Sequence, residues 1–218
     1  MGAQAFPDLM IWLASYPRSG NTLLRTVLWH CFGLRSASIY PNDLGGNKQL
    51  ESDVGHIEHG PDGKIRFPAG APVLIKTHES PSNPEPAIYV VRDARAACVS
   101  LWEFYNRRLT LESVIEGKHR FGTWSDHLLA WKPWERPNTL LIKYEKIASD
   151  LTPVLDEISA FTKFRILTTR MPERETLSGV DGRWVRQKSD WRLKISDAQL
   201  DMCNEINGEM MKRMGYLP

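Results

Sequence analysis

Three short segments hold residue types suited to anion chemistry. The first, Ser15-Tyr16-Pro17-Arg18-Ser19-Gly20-Asn21-Thr22, sits where an apolar run gives way to a helical period. A loop there offers free backbone N–H groups and the positive end of a helix dipole, a combination that draws phosphate or sulfate. Gly20 permits close backbone approach, Ser19, Asn21 and Thr22 bring short polar groups, and Arg18 brings a fixed cationic fork. The segment is not a Walker A loop, which reads GxxxxGK[ST] and needs paired glycines and a Lys-Ser/Thr that are absent here. The second segment, Lys76-Thr77-His78, closes another apolar run and sets a cation beside a titratable imidazole. The third runs from Arg92 to Ser100; Arg92 ends a strand-like run, and Ser100 falls about two turns into the helix that follows.

Each segment also has a plainer reading. The first fits a βα turn in which Ser19 and Asn21 cap a helix and Arg18 faces solvent. His78 alone fits a hydrogen-bonded core or surface histidine, Arg92 an ion-pair partner, and Ser100 an ordinary helix position. Their order along the chain, and the elements that must carry them, decide between the two.

Those elements follow from periodicity. Met10 to Ser15 reads as a strand, and Leu23, Leu24, Val27, Leu28, Cys31 and Phe32 recur at helical spacing beyond Gly20. Gly33 to Gly70, rich in Gly, Pro, Asn, Asp and His, reads as mainly loop with short elements, and a loop of that length is usually functional. Val73 to Lys76 and Ala87 to Val91 are further buried strands. Ala94 to Tyr105 keeps a helical period, with Asp93 at the N-cap. Thr139 to Tyr144 reads as a strand and Leu151 to Phe161 as an amphipathic helix. Thr168 to Trp191 is polar and irregular, and Asp197 to Met214 is a closing helix ended by Gly215. This alternation predicts an α/β fold: a single-domain doubly wound parallel sheet over residues 1–218, with helices on both faces. Ligands belong at the carboxyl ends of its strands, with a P-loop-like strand-loop-helix to bind phosphate.

Composition narrows the class. The 218 residues suit one domain, and 42% hydrophobic with 25% charged residues is ordinary for a globular chain. Lys and Arg number 28 against 26 Asp and Glu, so neither a nucleic-acid groove nor a membrane-binding face is expected, and any anion site is local. Cys31, Cys98 and Cys203 are odd in number, widely spaced and without CxxC, which argues against a disulfide framework or structural zinc and for a reducing cytoplasm. The apolar run Leu9 to Ala14 is too short for a signal sequence or a membrane span. Phe6 stands where a myristoylation pattern needs Ser or Thr.

Taken together, the three segments resemble the PAPS-dependent sulfotransferases, especially the cytosolic type, over most of the chain from Ile11 to Tyr216. Tyr16 to Leu23 is similar to that family's YPKSGTTW-like loop for the 5′-phosphosulfate, with Arg18 in place of Lys and Leu23 in place of Trp. Lys76, Thr77 and His78 match its KTH segment residue for residue. Arg92 and Ser100 match its 3′-phosphate pair, an Arg at a strand end and a Ser eight residues later. Tyr144 resembles the tyrosine that contacts adenine. Arg186-Gln187-Lys188-Ser189-Asp190-Trp191 resembles the RKGxxGDW clamp on the 3′-phosphate, two residues shorter and with RQK for RKG.

The resemblance implies transfer of a sulfuryl group from 3′-phosphoadenosine-5′-phosphosulfate (PAPS) to a hydroxyl or amine of a small acceptor, releasing 3′,5′-adenosine bisphosphate, by in-line displacement without a metal. In that scheme His78 is the general base, Lys76 holds the sulfuryl oxygens, Arg18 stabilises the leaving phosphate, and Ser100 ties the 3′-phosphate to the site. A guanidinium clamps two oxygens but gives up a proton poorly, so the Arg18 contribution is electrostatic. Leu23 removes an adenine-stacking ring. The resemblance places the acceptor against loops Gly33 to Gly70, Asn106 to Gly122 and Thr176 to Lys188. The chain is shorter than most cytosolic members, which points to a minimal bacterial version with a more open site; no dimer motif is evident, leaving the oligomeric state open. Two rival readings remain: a nucleotide kinase on the same scaffold, with Asp93 as a Mg²⁺ ligand, and a module that binds the nucleotide without turnover.

Overall fold

A computed structural model describes residues 9–183 and 190–218. The chain runs β1 (Met10–Ser15), α1 (Asn21–Phe32), β2 (Ala37–Ser38), a 3-10 turn (Asp43–Gly46), α2 (Lys48–Val54), β3 (Val73–Thr77), β4 (Ala87–Val91) and α3 (Ala94–Phe104). It continues through α4 (Leu111–Ile115), α5 (Trp124–Trp131), β5 (Thr139–Lys143), α6 (Tyr144–Ser149), α7 (Leu151–Thr162), α8 (Arg174–Val180) and α9 (Asp197–Arg213).

The strands form one sheet in the order β2-β3-β1-β4-β5, with every pairing parallel. Leu13 lies opposite Lys76, Ala14 opposite Thr77, and Ser15 opposite Val90. The strands therefore end together, and the loops after β1, β3 and β4 emerge side by side. From β1 the chain crosses to β2 and β3 on one side, then to β4 and β5 on the other. The crevice between the β1 and β4 ends is the switch point at which such sheets bind ligands.

Parallel strands covered on both faces must be apolar throughout, and β4 is buried along its whole length. One face packs Ile11, Leu13, Ile88, Val90 and Ile142 against Leu24, Val27 and Leu28 of α1 and Val154, Leu155 and Ile158 of α7. Each such fully buried side chain contributes roughly 1.5–3 kcal/mol. The opposite face packs Ala14, Tyr16, Tyr89 and Val91 against α3, α4, α5 and α9. Helices thus cover both faces, as the alternation predicts.

Short elements lie in three stretches that show little periodicity, as expected for the first of them. Within Gly33 to Gly70 lie β2, the 3-10 turn and α2. α2 is too short to display a period; it exists because the Asn47 side chain accepts from the Leu50 N–H and Gly55, at φ 66°, ends it. Its Leu50 and Val54 form a small separate core with Leu44. The polar stretch from Thr168 holds α8, and the expected acceptor loop from Asn106 holds α4. Tyr144, expected at a strand end, opens α6 instead.

Candidate functional site

The loop after β1 is shaped by its backbone. Arg18 (φ 65°) and Gly20 (φ 104°) both take left-handed conformations, a cost that a β-carbon makes real for Arg18 and that glycine avoids at position 20. Gly20 has a second reason: a β-carbon there would stand 2.5 Å from Tyr144 Cδ2. Close approach at this glycine is thus to the Tyr144 ring. Gly20 caps α1 without a side-chain bond, which leaves the first N–H groups of the helix for a ligand.

Ser19 is fully buried, and its Oγ has no hydrogen-bond partner among the described residues. A hydroxyl is a donor, so an anion in this loop would satisfy it. Asn21 turns the other way: its amide donates to the Leu13 carbonyl (2.8 Å) and to Ser15 Oγ (3.3 Å). Its side chain therefore ties the loop to β1, leaving its backbone N–H for the anion. Thr22 carries α1 on through its carbonyl, which accepts from Thr26 Oγ1 at 2.9 Å. Leu23, like Tyr144, packs against the apolar core of that face.

Arg18, Ser100 and Arg92 converge. Arg18 Nε donates to Ser100 Oγ at 3.3 Å, its guanidinium lies 5.1 Å from the Phe104 ring centre, and its carbonyl accepts from Arg92 Nη1 at 3.1 Å. The Arg92 guanidinium stacks 4.5 Å from the centre of the Tyr144 ring, and its burial lowers its pKa. Tyr144 Oη accepts in turn from Arg174 at 2.9 Å. α3 delivers Ser100 because Asp93 caps it, accepting from the Arg95 N–H at 2.9 Å while pairing with the Arg95 guanidinium at 2.6 Å. That carboxylate is engaged by the cap and the ion pair.

His78 is held from three directions. Its Nδ1 donates to the Ser15 carbonyl at 2.7 Å, its N–H donates to Tyr40 Oη at 3.0 Å, and its carbonyl accepts from His127 Nε2 at 3.0 Å. A carbonyl only accepts, so the Nδ1 proton is fixed and Nε2 is the basic nitrogen. Burial, followed by the nearby Lys76 charge, lowers the His78 pKa well below its ordinary value. The ring stacks on Tyr40 and meets Phe121 edge-on.

Lys76 is only 4% exposed, and its Nζ lies 2.5 Å from Asp43 Oδ1. Burial lowers the Lys76 pKa and Asp43 opposes that. Burial would raise the Asp43 pKa, but Lys76 and Arg25 outweigh it and hold the carboxyl well below the usual range.

Sequence reasoning missed several of these groups. Asp43 and Arg174 lie in stretches without periodicity. Arg25 left a signal, a charge on the apolar face of α1, and it is fully buried. His127 and Trp131, one turn apart on α5, donate to the carbonyls of His78 and Glu79 and clamp the end of β3. Of the four tryptophans at positions 102, 124, 134 and 184, Trp124 fills the core and Trp102 and Trp134 pack at its margin. Trp184 lies outside the described residues, together with Arg186, Gln187 and Lys188 of the expected 3′-phosphate clamp.

The model of the sulfotransferase domain family matches residues 8–178. Mouse sulfotransferase 4A1 is 23% identical over 171 residues, covering 69% of this chain and 58% of that protein. Sulfotransferase 2A1 of Macaca fascicularis is 25% identical over 242 aligned residues, covering 91% of this chain and 83% of that one. The match thus spans less than two thirds of the mouse protein. Among solved structures, mouse sulfotransferase SULT7A1 complexed with PAP aligns with a TM-score of 0.62 at 21% identity, over 93% of this chain and 84% of that one. Retinol dehydratase in complex with retinol and PAP aligns with a TM-score of 0.66 at 16% identity, over 96% and 83%. These likenesses establish the fold.

Proposed function

The chain belongs to the sulfotransferase domain family, and from that premise we propose that it carries one such domain, moving a sulfuryl group from PAPS to a hydroxyl or amine of a small acceptor. The observation that carries this reading is the His78 ring. Its Nδ1 is locked on the Ser15 carbonyl and its pKa is depressed, so Nε2 is an unprotonated base at neutral pH. It stands at the strand end that also bears Lys76 and adjoins the loop of Arg18.

The residues present suit the donor. The buried Ser19 hydroxyl without a partner, the uncapped start of α1 and Arg18 form a cradle for the 5′-phosphosulfate. Arg92 and Ser100, joined through Arg18, suit the 3′-phosphate, with Arg174 as a further cation beside Tyr144. Tyr144 has one ring face against Arg92 and an edge against Gly20, which makes it the wall against which adenine would rest. PAPS bound there supplies an activated sulfuryl group whose departure leaves 3′,5′-adenosine bisphosphate. His78 Nε2 takes the acceptor proton, Lys76 holds the sulfuryl oxygens, and Arg18 balances charge on the leaving phosphate. Positioning and electrostatics supply the rate, as in phosphoryl transfer.

Acceptors would enter beside Tyr40, His78, His119 and Phe121. His119 Nδ1 accepts from the Phe121 N–H, so its Nε2 donates to Tyr16 Oη at 3.1 Å. The retinol dehydratase complex holds a small alcohol, in keeping with a small hydroxyl acceptor. Three free, buried cysteines suit a reducing cytoplasm, and no helix among the described residues is long and apolar enough to cross a membrane.

The test is calorimetric titration with 3′,5′-adenosine bisphosphate in EDTA, with ATP and AMP as comparators, followed by transfer from labelled PAPS to a panel of alcohols, phenols and amines. Micromolar or tighter binding that needs the 3′-phosphate and no metal, with transfer, is the expected outcome. Preference for ATP with Mg²⁺ sinks the reading. Tight binding without transfer to any acceptor class assigns a nucleotide-binding module instead.

A further inference from the structure

Behind Lys76 lies an ion network that the reaction scheme above does not use. Asp43 Oδ1 stands 2.5 Å from Lys76 Nζ and Oδ2 stands 2.5 Å from Arg25 Nη1. Arg25 is anchored in its turn: Nε donates to Ser36 Oγ at 2.8 Å, and Nη2 to His56 Nδ1 at 2.7 Å and the Ser36 carbonyl at 3.4 Å. Because His56 Nδ1 accepts, that imidazole is neutral. Arg25, Asp43, His56 and Lys76 are all buried.

The turn that presents Asp43 is under constraint. Leu44, with a β-carbon, takes φ 62°, followed by Gly45 at 65° and Gly46 at 71°. A left-handed leucine persists only where its surroundings over-determine it. Here Leu44 is fully buried in the small core with Leu50 and Val54. That core, rather than the main one, sets where the carboxylate stands.

A buried ion pair is weak evidence for stability, since desolvating its charges offsets much of their attraction. A positioning role accounts for the arrangement better. Two cations share one carboxylate, so the cluster keeps one net positive charge. Lys76 carries three donor hydrogens, and one of them goes to Asp43. The charged and titratable groups around it are Asp43, Arg25, Arg18 and His78, with Tyr40 beneath its ammonium and His56 behind Arg25.

We propose that Asp43, anchored by Arg25, is a positioning residue for sulfuryl transfer, acting as the counterion that holds the Lys76 ammonium charged and aimed at the transferred oxygens. The inference rests on the PAPS reading. Its pH consequence has a definite sign: burial favours neutral Lys76, so removal of the Asp43 charge makes Lys76 lose its proton at lower pH.

The experiment compares wild-type protein with Asp43→Asn, which keeps the shape and removes the charge. Heteronuclear NMR of the Lys76 ammonium, assigned through Lys76→Arg, reads its titration without any donor. The expected result is a fall in Lys76 titration of about one pH unit or more in Asp43→Asn. The alkaline limb of kcat/KM moves down by the same amount, affinity for 3′,5′-adenosine bisphosphate is not weakened, and Asp43→Glu restores part of the shift. Should Asp43→Asn not fold, Arg25→Lys, which loses the Ser36 and His56 anchors, gives a smaller shift in the same direction. An unmoved titration and an unmoved alkaline limb in whichever variant folds overturn the inference. Wild-type protein that binds no 3′,5′-adenosine bisphosphate overturns the PAPS reading instead, a separate result, because the ammonium titration needs no nucleotide.

Discussion

The two sides of the crevice are built differently. On the side proposed for the donor, the β1–α1 loop, Arg92 and Ser100 hang on buried strands and on helices α1 and α3, joined by Asn21 to Leu13, Arg18 to Ser100 and Arg92 to Arg18. On the side proposed for the acceptor, Tyr40, Glu79, His119, Arg120 and Phe121 come from loops and meet through ring contacts, hydrogen bonds from Tyr40 to Glu79 and from the Phe121 N–H to His119, and an ion pair, Arg120 to Glu79, whose side chains are 63% and 37% exposed. A donor common to a whole family calls for a fixed cradle; an acceptor site gains from replaceable loops on a rigid frame. His78 belongs to both, with its ring toward Phe121 and its backbone and Nδ1 tied to the frame.

Substitutions at either side test that contrast. The largest effect is expected for His78→Ala, a loss of turnover of about 10²–10⁴-fold for a general base, with calorimetric nucleotide affinity nearly unchanged. An equal loss of affinity would make His78 part of the donor cradle instead. Acid stability is next. The folded-state pKa values of His56 and His127 are lowered by burial to about 4, below the ordinary unfolded value of about 6.5. Their contribution is present above the unfolded value and lost as pH falls through the folded one. Each would account for up to ~3 kcal/mol, read as a falling denaturant midpoint over that window and flattened in His127→Gln.

Arg92→Ala comes third. It should weaken 3′-phosphorylated nucleotide more than the 3′-dephospho analogue by about 1.5–3 kcal/mol, the size of a charged hydrogen bond; equal losses would move the 3′-site elsewhere. Arg120→Ala should do least. An exposed ion pair contributes about 0–1 kcal/mol, so stability and nucleotide affinity stay put while KM for the acceptor changes. A fall in nucleotide affinity there would erase the distinction between the two sides.

How far the sequence was legible follows the same division. β1 and β4 run over the residues their apolar patterns predict, and Asp93 caps α3 as its position implies. α2 and α8 were hidden because seven residues give too little period and their caps are read only in space. At Gly20 the glycine was legible but its partner was not: the Tyr144 ring, rather than a ligand alone, takes up the missing side chain. The bond from the Asn21 side-chain amide to the Leu13 carbonyl, which ties the loop to β1, was not legible either.

The sequence by itself determined the local units, strand, loop and helix, and the residue types at their junctions, because periodicity, capping and turn chemistry act over a few neighbouring residues. Tertiary structure alone decided which of those groups meet. Asp43 reaches Lys76 across 33 positions, His127 reaches His78 across 49, and Arg18 reaches Ser100 across 82. Such contacts depend on strand order and helix packing, which a local pattern does not encode, and through them Lys76 is held on a carboxylate and the His78 ring on the Ser15 carbonyl.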